Sequence, residues 1–220
     1  MTRPNAARQL PARRSRPGAF PASFYDRDTA QVARDLLGAV IECHTAEGIA
    51  SGRIVETEAY LGPHDPACHA VAGLTERTRH LHGPPGTAYV YRIYGMHWCF
   101  NAVTQPEGVG AAVLVRALEP LEGVALMRLR RPRARRDADL TNGPGKLCGA
   151  LGITGAASGA PLDRLPLVLR AGPPIADDDV LVSPRIGITR AAEWPLRFFL
   201  RGSAYVSATP RSFFQRPFSS

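Results

Sequence analysis

TAYVYRIYGMHWCFNAV, Thr87 to Val103, is the stretch whose reading decides the fold. Thr87–Tyr94 and His97–Val103 are rich in aromatic and β-branched residues, the composition that suits a pleated, half-buried surface. Only Gly95 and Met96 separate them, so the two runs are expected to fold back as a tight antiparallel hairpin. A large aromatic beside a tight glycine turn is presented at the hairpin tip. Such a side chain can act as a wedge between stacked bases, filling the space of a displaced nucleotide. Most tyrosine-rich hairpins simply build sheet, and on these residues alone both readings stay open.

The pattern continues on either side. Upstream, Asp28 or Thr29 can cap a helix that runs through Leu37 and stops at Gly38. Ala39–Cys43 and Ile49–Tyr60 then read as an antiparallel strand pair. Downstream, Ala112–Leu118 supplies a strand. Glu119-Pro120-Leu121-Glu122 reads as a helix start with Arg128, Arg130 and Arg131 at its end, acid and base matching the helix dipole. Residues 132–142 read as a charged loop, and Lys146–Leu151 as a short helix entered through Gly143-Pro144-Gly145. Leu165–Arg170, Val180–Ile188 and Leu196–Leu200 are short apolar runs bounded by Gly and Pro. The expected class is therefore α+β, a single domain in which strands flank the middle helices. Its predicted limits are residues 21–208, after a disordered basic arm (1–20, with Arg3, Arg8, Arg13, Arg14 and Arg16) and before a C-terminal tail (209–220).

Charge narrows the partners. Twenty-seven Lys and Arg against 19 Asp and Glu give a net charge of +8, a field that favours polyanions such as nucleic acid. Lys146 is the only lysine, so a Schiff base has one possible side-chain amine. Cys43, Cys68, Cys99 and Cys148 are widely spaced and form no C-x-x-C, which points away from a zinc ribbon or a disulfide framework and towards a reducing compartment. His69, His80, His82 and His97 lack the paired spacing of a zinc site, so no metal is expected. No run of about 18 apolar residues exists, and a membrane-spanning helix is excluded.

Chemistry is concentrated in Arg53-Ile54-Val55-Glu56-Thr57-Glu58-Ala59-Tyr60. A period of two places Glu56, Glu58 and Tyr60 on one strand face, where a carboxylate withdrawn from bulk water can serve as a general base. On these residues alone a solvent-facing strand edge is the plainer reading.

Taken together, the motifs resemble the alkyladenine (3-methyladenine) DNA glycosylase family. Those that carry the resemblance are VETEAYLGP (Val55–Pro63), His69, PGTAYVYRIYGM (Pro85–Met96), Asn101, VLVRALE (Val113–Glu119), NGPGKL (Asn142–Leu147), RIGI (Arg185–Ile188) and Leu196-Arg197-Phe198. The resemblance runs from about Phe24 to Ser207. It implies a curved antiparallel sheet with flanking helices and a protruding, DNA-inserting hairpin. The implied activity is cofactor-free, monofunctional hydrolysis of the N-glycosidic bond of an alkylated or deaminated purine flipped out of double-stranded DNA. By position in the motifs, Glu58 resembles the general base that activates water, with the Arg116 side chain and the Ile186 carbonyl helping to hold that water. Tyr60, His69 and Tyr91 resemble the walls of the base pocket, and Tyr94 the intercalating wedge. Asn101 resembles the residue that crowds the amino group of guanine, while Met96 and Leu114 fall at neighbouring apolar positions, at the tip and in the pocket.

A monomer is expected, in the cytoplasm beside the nucleoid of a bacterium or in the nucleus of a eukaryote. The competing readings are a damaged-DNA-binding protein without catalysis, a zinc-dependent hydrolase, and a glycosylase with a lyase step through Lys146.

Overall fold

In chain order the computed structural model, which describes residues 15–207, begins with α1 (Ala22–Tyr25) and α2 (Thr29–Asp35) and continues into β1 (Val40–Thr45) and β2 (Gly48–Tyr60). The expected hairpin follows as β3 (Ala88–Ile93) and β4 (His97–Thr104), then β5 (Ala111–Glu122). Three helices come next, α3 (Val124–Arg130), α4 (Ala138–Thr141) and α5 (Pro144–Leu151). The chain ends through β6 (Asp163–Arg164), β7 (Leu167–Arg170), β8 (Val180–Ser183) and β9 (Arg197–Leu200). Among the described residues no helix is long and apolar enough to cross a membrane.

All strand pairs are antiparallel, in the order β3-β4-β5-β2-β1-β7-β6, with β9 also on β2 and β8 on β9. β2 is the axis of this sheet: Gly48–Arg53 pair with β1, whereas Glu56–Glu58 pair with β9. One partner cannot continue into the other without a bend. Irregular register supplies it, because Ile54 opposes Leu118 and Glu56 opposes Ala117, which leaves Val55 extra on β2. Next, Thr57 opposes Val115, which leaves Arg116 extra on β5. Bulges of this kind bend strands and re-aim side chains.

The two sheet faces have separate tasks. Val90, Phe100, Ala102, Val113, Val115 and Ala59 join the large apolar core with Val32, Leu36, Leu147 and Leu151 from α2, α5 and their ends. On the other face a smaller cluster gathers Tyr89, Val103 and Ala112 with Cys68, Ala70 and Leu81, and Tyr60 and Tyr91 pack on it. Thr57, on the core side, donates to the Ala33 carbonyl at 2.8 Å and ties α2 to the sheet.

Several expectations need correction. The helix expected from Glu119 starts instead at Val124, after Gly123 with φ 74°, and Glu119–Glu122 remain in β5. Local propensity loses to pairing here: Pro120 opposes Gly52, and Glu119 opposes Arg53 and forms an ion pair with it. β4 pairs only with Ala111–Leu114, so β5 is free of β4 at Pro120 and the missing N–H costs no bond to that strand. The row Glu56-Glu58 is not a solvent-facing edge, since both carboxylates are fully buried in a strand paired on both sides. The 132–142 loop contains α4, and the strand expected to reach Ile188 stops at Ser183.

Residues 15–20, assigned in sequence to the basic arm, lie along β6 and β7. The Arg16 amide donates to the Asp163 carbonyl at 2.8 Å, the Phe20 amide to Leu169, and the Phe20 ring stacks on Phe24 at 3.9 Å. The rest of the arm, residue 208 and the tail 209–220 lie outside the described residues. Asp28 is the cap of α2, accepting from the Gln31 amide, and Gly38 adopts φ 82° just past the helix.

Candidate active site

Directly opposed residues in an antiparallel sheet share a face. One transverse row crosses five strands: Tyr89 of β3, Asn101 of β4, Leu114 of β5, Glu58 of β2 and Arg197 of β9. Steps of two along the strands add Tyr91, Cys99, Ala112 and Tyr60 to that face. Above it, the segment after β2 and the segment after β8 close a cavity of about 320 Å³, at the lower end of the roughly 300–1,000 Å³ of ligand clefts. Tyr60, His69, Tyr91, Asn101, Leu114, Arg116 and Ile186 all line it, as does Tyr94 from the hairpin tip.

Glu58 stands immediately behind this wall. Its Oε1 accepts the Ile186 amide at 2.7 Å, and its Oε2 accepts the Tyr60 hydroxyl at 3.0 Å and Arg116 Nη1 at 3.3 Å. All three donors belong to cavity-lining residues. Burial pushes the Glu58 carboxyl above its ordinary value; Arg116, the Ile186 amide and Tyr60 pull it back, and Glu56 adds to the rise. A withdrawn carboxylate held by three donors at a cavity wall is the arrangement a general base needs.

The other walls are aromatic. His69 meets the Tyr91 ring edge-on at 4.4 Å, and its Nδ1 is 2.9 Å from the Tyr89 hydroxyl. Burial, with the charge of Arg77 second, lowers the His69 pKa, so the ring is neutral at pH 7. Burial also pushes the Tyr89 hydroxyl up to about 12 and raises those of Tyr60 and Tyr91, so all three remain protonated donors at neutral pH. Asn101 donates its Nδ2 to the Tyr89 carbonyl at 3.0 Å, which fixes the amide in place.

Tyr60 is backed by a cation: the Arg185 guanidinium lies 4.7 Å from its ring centre. Arg185 is itself buried, bonded to the Ala59 carbonyl at 3.0 Å and doubly to Asp65. Asp65 also accepts the amides of Leu61 and Ala67, so one carboxylate ties the turn after β2 to the segment carrying Ile186.

The hairpin turn differs in detail from the sequence reading. Its central residues are Tyr94 and Gly95, with φ 51° and 68°, and the Met96 amide closes it on the Ile93 carbonyl at 3.1 Å. Positive φ at both positions is the signature of a type I′ turn. Tyr94 is 82% exposed and Met96 71% exposed, and Met96 stands at the tip outside the cavity.

A second cavity of about 520 Å³ adjoins the first, sharing Cys68, His69, Arg77 and Gly187 among its lining residues, and Arg190 also lines it. Tyr89 and Cys99 were not singled out in sequence, although each lies two residues before a predicted pocket residue on the same strand. Asp65, Ser207 and the partnership of Arg185 with Asp65 left no local signal. Among the described residues no three His, Cys, Asp or Glu side chains gather in a way that could hold a metal ion.

Comparison with known proteins gives concordant matches. The family model described as Methylpurine-DNA glycosylase (MPG) matches residues 23–204. A relative from Methanoculleus marisnigri, named "Putative 3-methyladenine DNA glycosylase", is 53% identical over 191 residues, 86% of this chain and 98% of its own. Relatives of the same name from Myxococcus xanthus and Agrobacterium fabrum are each 50% identical, over 87% and 85% of this chain and 94% and 91% of their own.

Proposed function

Because the chain belongs to the methylpurine-DNA glycosylase family, we propose that it excises methylated purines, 3-methyladenine among them, from duplex DNA by water-driven hydrolysis in the cavity beside Glu58. The observation that carries this reading is a fully buried carboxylate bonded to three residues that line a purine-sized aromatic cavity.

The damaged nucleotide rotates out of the helix, and its base enters between Tyr60, His69 and Tyr91. Alkylation at N3 or N7 leaves the purine cationic, and the electron-rich faces of the tyrosines attract it. A neutral His69 adds no repulsion. Water sits between the Arg116 guanidinium and the Ile186 carbonyl, whose Nη1 and oxygen are 3.5 Å apart, a poor direct bond but one that a shared third oxygen can satisfy.

Glu58 takes a proton from that water as its oxygen bonds to C1′ of the sugar. The C1′–N9 bond breaks and its electron pair passes to the base, which leaves neutral when it was alkylated. Lys146 takes no part: it donates to Asn142 Oδ1 at 2.7 Å and does not line the cavity. Asn101 crowds the amino group that guanine carries and adenine lacks. Tyr94 enters the duplex where the nucleotide was.

The test is incubation of duplexes carrying 3-methyladenine, 7-methylguanine, ethenoadenine or hypoxanthine with the purified protein. Free base and an alkali-labile abasic strand are expected from the 3-methyladenine duplex, with no borohydride-trapped adduct, and the other three duplexes rank the lesion preference. Tight lesion binding without abasic product would instead support a non-catalytic reader of damage.

A further inference from the structure

We propose that Glu56, held by Arg197 and Ser207, is a positioning residue for the reaction assigned above: it fixes the Arg116 guanidinium so that one nitrogen faces Glu58 and the Ile186 carbonyl. The inference rests on that reading of Glu58 and goes beyond it. Glu56 does not line the cavity and is fully buried. Its Oε1 accepts Arg116 Nε at 3.1 Å, Arg197 Nε at 2.7 Å and the Ser207 hydroxyl at 2.7 Å, and its Oε2 accepts the Ser207 amide at 2.7 Å. Arg197 is anchored in turn by the Ser183 hydroxyl at 3.0 Å and the Phe199 ring at 4.3 Å.

The geometry gives Arg116 little other means of orientation. It is the extra residue of a bulge, with no β2 residue opposite it, so strand pairing alone does not aim its side chain. A guanidinium is planar, and fixing Nε fixes the plane in which Nη1 lies. With Nε bound to Glu56, Nη1 reaches Glu58 at 3.3 Å and the Ile186 carbonyl at 3.5 Å. A buried network of two carboxylates and two guanidiniums is a poor device for stability alone, because well-packed apolar residues do as well. Its open end faces the cavity, which gives it a different use.

The charge of Glu56 also bears on Glu58. The charged and titratable groups around Glu58 are Arg116 on β5, Tyr60 and Glu56 on β2, Arg197 on β9, Tyr91 on β3, and Arg185 beside Ile186. Burial is the main reason that Glu58 titrates high, and the negative Glu56 raises it further. Removing that charge acts to lower the pH at which Glu58 becomes a base, whereas losing the hold on Arg116, the largest influence that lowers it, acts to raise it.

Single-turnover excision is therefore measured against pH for wild type, Glu56→Gln, Glu56→Asp and Glu58→Gln, alongside affinity for a duplex with an uncleavable abasic analogue. Glu56→Gln is expected to lose roughly 10- to 100-fold in maximal rate, the effect of a misplaced catalytic group, with affinity little changed and the acid limb displaced from that of wild type. Glu56→Asp keeps the charge, so its limb stays with wild type and part of the rate returns.

A wild-type rate and limb in Glu56→Gln would overturn the proposal, as would an Asp variant indistinguishable from the Gln one. If Glu56→Gln does not fold, Ser207→Ala keeps all four charges and is expected to lose rate severalfold; an unchanged rate there also overturns it. Normal Glu56→Gln beside an inactive Glu58→Gln removes only the positioning role. A wild type that releases no base removes both readings.

Discussion

Glu58 is a base only as an anion, and its surroundings oppose each other on that point: burial raises its pKa while Arg116, the Ile186 amide and the Tyr60 hydroxyl lower it. The carboxyl therefore titrates above the ordinary glutamate value of 4.5, and excision should gain rate as pH rises through that raised value. Arg116→Gln removes the largest influence that lowers it. The acid limb is then expected to move to higher pH, with a rate loss of about 10²-fold for one lost electrostatic contact; single-turnover rates across pH check both. The period of two put Glu58 and Tyr60 on one strand face, but on those residues alone that face read as a solvent-facing edge; the pocket at Tyr60 and Tyr91 was legible only through the family resemblance. Asp65 with Arg185 and Glu56 with Ser207 were not, since their partners lie 120 and 151 residues apart and no local period links them.

Elements place these residues by bending. The paired bulges at Val55 and Arg116 turn β2 from β1 towards β9 and send an arginine into the cavity wall, and no sequence period announces an extra residue. The same limit explains α3: acid, proline and a basic end imitate a helix start at Glu119, yet pairing with Gly52 and Arg53 keeps that stretch in β5. The hairpin was legible because two aromatic runs meet at a glycine. Its cost was not, since Tyr94 holds φ 51°, an uncommon conformation for an aromatic residue that stores on the order of 1–3 kcal/mol. Tyr94→Gly is accordingly expected to raise the midpoint of urea unfolding slightly while weakening stable flipping, read as lost fluorescence of a flipped-base reporter. Asp65→Asn should do the reverse of stabilise: it leaves the buried Arg185 charge without its partner, a loss of about 3–5 kcal/mol by the same unfolding measurement.

At the scale of the whole molecule, a net charge of +8 favours polyanionic partners, and in the proposed function the aromatic cavity selects the base. Charge and class could be read from composition and pattern; the cavity could not, because it forms where the segments after β2 and β8 meet over the sheet. Among the described residues Arg77 and Arg190 flank that meeting place. Arg77→Gln is expected to weaken lesion binding and to reduce the slope of log affinity against log salt by about 1, one phosphate contact fewer. In the proposed reaction a base lies flipped against Tyr60 and Tyr91 and is cut loose by water that Glu58 activates. Its most direct test is single-turnover release of 3-methyladenine by Glu58→Gln at neutral pH, with lesion binding measured in parallel. Binding near wild type and a rate lower by roughly 10²- to 10⁴-fold are expected; release at the wild-type rate would contradict that role for Glu58.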